Sequence, residues 1–220
     1  MTPVSLTLES PIAGLWSTPP SRMPYQQNAL VRSFLLERPT GNAVVYNSPG
    51  ISAATDEIER RGGASRILIN HAHEAMYGQP ALDAPVFVHE RDRDETERGL
   101  HVSGVFRERG RIDDDLEVIL TPGHTPGTTS YLWSTAGHRF LFTGDFINID
   151  QGQWRAVVLT SSDPNAYLAS LRLVRDVDFD VLVPWAATDD GPCFSLVDEE
   201  ERHGRMDRLI ARVLAGGDRR

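Results

Sequence analysis

The sequence predicts an α/β fold in which β-sheets and helices are layered on one another. Two observations carry this. Residues 1–50 read as short strands broken by turn residues, and the later chain alternates helical periodicity with short apolar runs. Residues 29–36 and 43–46 are β-rich, with Pro39-Thr40-Gly41-Asn42 as a hairpin-type turn between them. Residues 55–62 form a short polar helix, acidic at Asp56, Glu57 and Glu59, basic at Arg60-Arg61, and stopped by Gly62-Gly63. Residues 65–70 are a buried strand that runs into His71, and 84–89 another, followed by a polar helical turn over 90–98. Strands are expected at 116–120, 130–133, 139–143 and 179–183. Helices are expected at 164–174, with Asp163 as N-cap before Pro164, and at 198–214, with Met206, Leu209, Ile210 and Val213 on one face. No repeat, low-complexity segment or long linker interrupts the chain, so one domain over residues 1–220 is expected.

Composition narrows the function classes. Charged residues are 24% of the 220, the net charge is −9, and every basic residue is arginine. The arginines alternate with acids, as in Glu90-Arg91-Asp92-Arg93-Asp94-Glu95, so no basic patch forms and nucleic acid is not an expected partner. No apolar run reaches the ~18 residues of a membrane span. Met1-Thr2-Pro3-Val4-Ser5 lacks a basic region and a long apolar core, so no signal peptide, and a cytoplasmic protein, are expected. Cys193 is the single cysteine, which excludes an internal disulfide or a cysteine-rich zinc site. With no basic neighbour, it is not expected to be a nucleophile. The sequence does not fix an oligomeric state.

The chemistry is carried by His71-Ala72-His73, by Thr121-Pro122-Gly123-His124-Thr125-Pro126-Gly127, and by Thr143-Gly144-Asp145. Each cluster follows an apolar run that reads as a strand. His71 and His73 are two apart, so in an extended segment both point to one side and reach one ion. Glycine and proline around His124 fix an imidazole on a stiff loop. Three histidines and a carboxylate brought together at strand ends make a zinc or iron site.

These motifs, in this order, resemble those of the metallo-β-lactamase-fold hydrolases. The segment from Tyr167 to Pro184 resembles that family's late helix–strand pair, so the resemblance spans roughly residues 30–190. It implies an αββα sandwich of two mixed β-sheets flanked by helices, with a metal site at one edge. Two departures matter. The family's first motif is His-x-His-x-Asp-His, and here Ala75 and Met76 stand at its last two positions. The late strand of the family ends in Pro-Gly-His-Gly, and here it reads Pro184-Trp185-Ala186-Ala187. The residues lost are the family's private ligands to its second metal.

The expectation is therefore one zinc ion on His71, His73 and His124. Asp145 would serve as a further ligand or as the base that positions water against an ester, thioester or amide of a small molecule. Two alternatives stand beside it. One is a mononuclear iron enzyme resembling the family's persulfide dioxygenases, built on His71, His124 and Asp145. The other is a ligand-binding or interaction protein with a dead site and no metal. Glu74, Asp189 and Asp190 are candidate substitute ligands for the second site. Trp185, Met76 and Tyr77 are expected to wall or fill the vacated pocket. No role is assigned to His89, His101, His138 or His203.

Overall fold

A computed structural model describes residues 9–189 and 191–219. Asp190 and residues 1–8, which carry the no-leader expectation, lie outside the described residues. The strands form three hydrogen-bonded sheets. In the first, Glu9–Ile12, Leu15–Ser17, Phe34–Leu36, Ala43–Val45, Arg66–Leu68, Val86–His89 and Val102–Phe106 lie side by side. Pairing is antiparallel as far as Ala43–Val45 and parallel beyond it. The second runs Gly110–Asp113, Leu116–Leu120, Thr129–Ser134, Arg139–Gly144, Val181–Pro184, Ser195–Leu196. Its one parallel pair joins Arg139–Gly144 to Val181–Pro184. The third runs Gln153–Ala156, Ile147–Asp150, Ala186–Thr188, Ala29–Val31, Ser21–Arg22.

Alternation along the strands explains the layering, because successive side chains leave opposite faces of a sheet. Val44 and Ile67 pack with Ile51, Ala54 and Ile58 of helix α1 (Pro49–Arg60). Their neighbours Ala43, Val45 and Leu68 join Tyr131, Trp133, Phe140, Phe142, Val181 and Val183 between the first and second sheets. On the far face of the second sheet, Leu132, Leu141 and Leu182 pack with Tyr167, Leu171 and Val174 and with Met206, Leu209 and Val213. The order is helix, sheet, sheet, helix, as the αββα expectation requires. A short helix α2 (Arg93–Thr96) follows a 3₁₀ turn at Glu90–Asp92, and α3 (Pro164–Arg175) and α4 (Glu199–Leu214) cover the second sheet. The capping signal at Asp163 holds, since it accepts from Asn165 N and Ala166 N; Asp198, expected as the first helical residue, caps α4 by accepting from Glu201 N.

The structure corrects several local readings. Residues 29–36 are two strands in different sheets, split at Arg32-Ser33. Helix α1 starts six residues before the expected residue 55, because Ser48-Pro49 is an N-cap followed by proline at the first helical position and not a turn. His71 is extended, but Ala72–Tyr77 is a 3₁₀ helix, so His71 and His73 converge through a tight turn and not along a strand. His89 is buried, and its Nδ1 accepts from Arg91 N at 3.1 Å.

Candidate metal centre

The three histidine and aspartate motifs meet because the strands that carry them end on the same side. Arg66–Leu68 feeds His71, Leu116–Leu120 feeds the His124 loop, and Arg139–Gly144 feeds Asp145. Gly144 has a positive φ of 57°, and a Cβ there would overlap the Asn70 side chain, so the motif needs glycine before its aspartate.

His71, His73 and His124 each present a nitrogen within 4.8 Å of the others. His73 Nδ1 lies 3.1 Å from His124 Nε2. Asp145 Oδ2 lies 3.6 Å from His71 Nε2 and 4.0 Å from His124 Nε2. His124 Nδ1 sits 2.7 Å from the carbonyl of Val157, which assigns it the proton and leaves Nε2 its lone pair. Both nitrogens of His71 are buried and, among the described residues, neither makes a hydrogen bond, with the Glu74 and Asp145 carboxylates close by at 3.3 and 3.6 Å. A buried imidazole normally satisfies its polar atoms, so this unmet Nε2, beside Asp145 and two other imidazoles, leaves the group able to hold an ion. The set fits one divalent ion of the kind that takes nitrogen ligands. Among the described residues no second cluster of histidine, cysteine or acid side chains can hold an ion.

The protein groups alone place one positive charge among the imidazoles, on His71. Burial works against charge on His71, but the carboxylates of Asp145 and Glu74 on either side overcome it and raise its pKa to about 10. Burial, then the charge on His71, drives His124 down to about 3 and lowers His73. Burial pushes Asp145 up, but the positively charged His71 ring, 3.6 Å away, more than reverses this, so it sits below the ordinary carboxylate value.

Other expected site residues are placed as follows. Glu74 is fully buried; Oε2 accepts from Asn47 N at 2.7 Å and Oε1 from Asn70 N at 2.8 Å, and Oε1 is 3.3 Å from His71 Nδ1. It braces the His71 loop and orients that ring, the part a carboxylate plays behind a metal-bound histidine. Asp189 pairs with Arg22 at 2.7 Å and neither joins the histidine group nor lines the cavity beside it. Trp185 is buried, donates to Asn47 O at 2.8 Å and stands edge-on to His71 at 5.3 Å between centroids; Tyr77 packs against the same indole at 5.9 Å. Met76 is exposed and lines a cavity of about 950 Å³ that reaches His73, His124 and Asp145. Ala75 and Ala186 line it too, so all three positions of the lost second-metal ligands face one cavity and bring no imidazole or carboxylate to it.

The sequence profile of the metallo-beta-lactamase superfamily matches residues 50–186. The chain belongs to that superfamily. Solved structures share its fold at low identity. The metallo-beta-lactamase FIM-1 of Pseudomonas aeruginosa, in its mono-zinc form, superposes with a TM-score of 0.69 at 12% identity, over 94% of this chain and 96% of that one. The metallo-beta-lactamase of Hirschia baltica gives 0.65 at 12% identity, over 93% and 97%. The family protein TTHA1429 of Thermus thermophilus gives 0.61 at 18% identity, over 93% and 80%. No curated protein matches the chain in sequence. Within this superfamily the chain is a diverged member that lacks the second-metal ligands. Among the described residues no helix is long and apolar enough to cross a membrane.

Two groups of residues at the site escape sequence reasoning. Asp92 is buried between the histidine loops, and Glu95 and Arg98 line the cavity wall. All three sit in the alternating charges of residues 90–98, where nothing in the pattern separates a buried acid from a solvated one.

Proposed function

We propose that this chain is a single-metal hydrolase acting on an ester, thioester or amide bond of a small molecule. The observation that supports it most is the buried Nε2 of His71, which makes no hydrogen bond among the described residues and lies beside His73, His124 and Asp145, three residues that line an open cavity. His71, His73 and His124 would hold zinc, whose contribution is Lewis acidity: it polarises a carbonyl and brings the pKa of water to about 7. Asp145, kept ionised at neutral pH, takes the place of the aspartate missing at Ala75 as acceptor for the proton of an attacking water. His124 stays neutral, its ring fixed by the Val157 carbonyl, so it does not compete for that proton. Met23, Met76 and Leu159 give the cavity apolar walls, suited to the body of a small organic substrate. That FIM-1 has a mono-zinc form supports the reading that this fold accommodates one ion.

A second reading rests on the approach of Asp145 Oδ2 to His71 Nε2 and His124 Nε2, which also composes a two-histidine, one-carboxylate iron set. One experiment separates them. Protein purified without chelator or nickel resin is assayed for metal by mass spectrometry beside His124→Ala, and wild type is offered nitrophenyl esters and thioesters. About one zinc per chain, lost in the variant together with hydrolysis, is the expected result. Iron with oxygen uptake favours the second reading. No metal after zinc and iron are both offered sinks both and leaves a binding protein.

A further inference from the structure

The two histidine loops come from different sheets. His71-Ala72-His73 follows a strand of the first, and the loop from Thr121 to Thr128 follows a strand of the second. An ion shared between them needs their relative placement fixed to about half an ångström. Asp92 lies where they meet. It is 2% exposed, and Oδ2 accepts from Ala72 N at 3.0 Å and Thr125 Oγ1 at 2.5 Å, while Oδ1 accepts from Gly127 N at 2.6 Å. Ala72 stands between the two histidines of the first loop, and Thr125 directly follows the histidine of the second. The approach is close enough to dictate sequence, since a Cβ on Gly127 would come within 2.6 Å of the Asp92 carboxylate.

We propose that Asp92 is a positioning residue that clamps the two histidine loops together and thereby sets the affinity of the site for its metal. The inference rests on the single-metal reading above. Glu74 does something different: its amide partners, Asn47, Asn70 and His71, leave the second loop untouched. A buried carboxylate answered by two backbone amides and a hydroxyl is costly to remove from water, and three convergent donors offset that cost only while both loops stay in place. Asparagine keeps the shape but turns one acceptor oxygen into an amide NH2 donor that faces another N–H or O–H donor.

The test titrates Zn(II) and Co(II) into metal-free wild type, Asp92→Asn and Asp115→Asn, and records the visible absorption of the cobalt forms. Asp92→Asn is expected to weaken both metals on the order of 10–100-fold and to shift the cobalt bands. Asp115→Asn removes a hydrogen-bonded carboxylate outside the site, so it lowers stability but leaves affinity and bands as in wild type. A folded Asp92→Asn with wild-type affinity and bands overturns the proposal. Should that variant not fold, Thr125→Val removes one donor of the three and is expected to lose affinity in the same direction; unchanged binding there overturns it. Amide exchange on the metal-free proteins supplies an arm that needs no metal. Ala72 and Gly127 are expected to be protected in wild type and to exchange faster together in Asp92→Asn. If wild type takes up no metal, the hydrolase reading falls separately and Asp92 as determinant of metal affinity falls with it, while coupled exchange still reports the clamp itself.

Discussion

Tyr46 carries an unusual load for one side chain. Its backbone has φ 71°, a region that costs a bulky residue about 1–3 kcal/mol. In return its hydroxyl donates to Val183 O at 2.6 Å and accepts from Gly144 N at 2.8 Å, tying the turn before Asp145 to the neighbouring strand. Burial pushes its pKa well up, so it stays a phenol and can do both. Tyr46→Phe keeps the ring and strands a buried N–H and C=O, so it is expected to lower unfolding free energy by about 1–3 kcal/mol, read by urea denaturation. An unchanged midpoint would mean that the Gly144 turn is held by other contacts. This scale also shows where sequence reasoning stops. That His71, His73, His124 and Asp145 would meet is legible, because residues able to hold a metal recur as particular types at particular spacings. Tyr46, Glu74 and Asp92 are not legible, because each works by accepting or giving a backbone hydrogen bond to a segment fixed only by the fold. Glu74, read as a substitute ligand, shows that residue type alone does not say which way a carboxylate faces.

Among the elements, the strand pair Gly110–Asp113 and Leu116–Leu120 is joined to the first sheet by Arg38. Its fully buried guanidinium meets Asp115 through Nε at 3.0 Å and Nη2 at 2.6 Å, and Asp113 through Nη2 at 2.7 Å. The hydrogen bond from Arg38 holds the Asp115 carboxyl below its ordinary 3.8. A depressed folded pKa means stability that is present above the unfolded value and lost as pH falls through the folded one. With Asp115 one-quarter exposed, the contribution is about 1 kcal/mol after screening. Wild type should therefore exceed Asp115→Asn in urea midpoint at pH 7, with the gap closing below about pH 3.8; a gap constant with pH would assign the effect to packing. Helix α3 is legible from cap and periodicity together, and α4 from periodicity. The hairpin Ile147–Asp150 to Gln153–Ala156 is not, since its turn places Gln151 at φ 49° and Gly152 at φ 75° without the Asn-Gly or Asp-Gly pair that announces such turns.

At the scale of the whole molecule, the histidines make the site a joint. His71 and His73 belong to a loop of the first sheet and His124 to a loop of the second, so an ion bound by all three fastens the two inner layers at one edge. The layering itself is readable from the order of strands and helices and from the family motifs, but the third sheet is not. It is assembled from short segments, such as Ala29–Val31 and Ala186–Thr188, that are far apart in sequence and pair only across the fold. An ion that binds the folded chain and not the unfolded one stabilises it by about 2.7 kcal/mol at a hundredfold excess over its Kd. For a chain of this length that corresponds to a rise in Tm of roughly 5–10 °C. Zinc added to chelator-treated protein should produce this shift, and His73→Ala should abolish it because two imidazoles no longer complete the set. A full shift retained in His73→Ala would place the stabilising ion elsewhere, and a joint between the two sheets would then be the wrong description of the site.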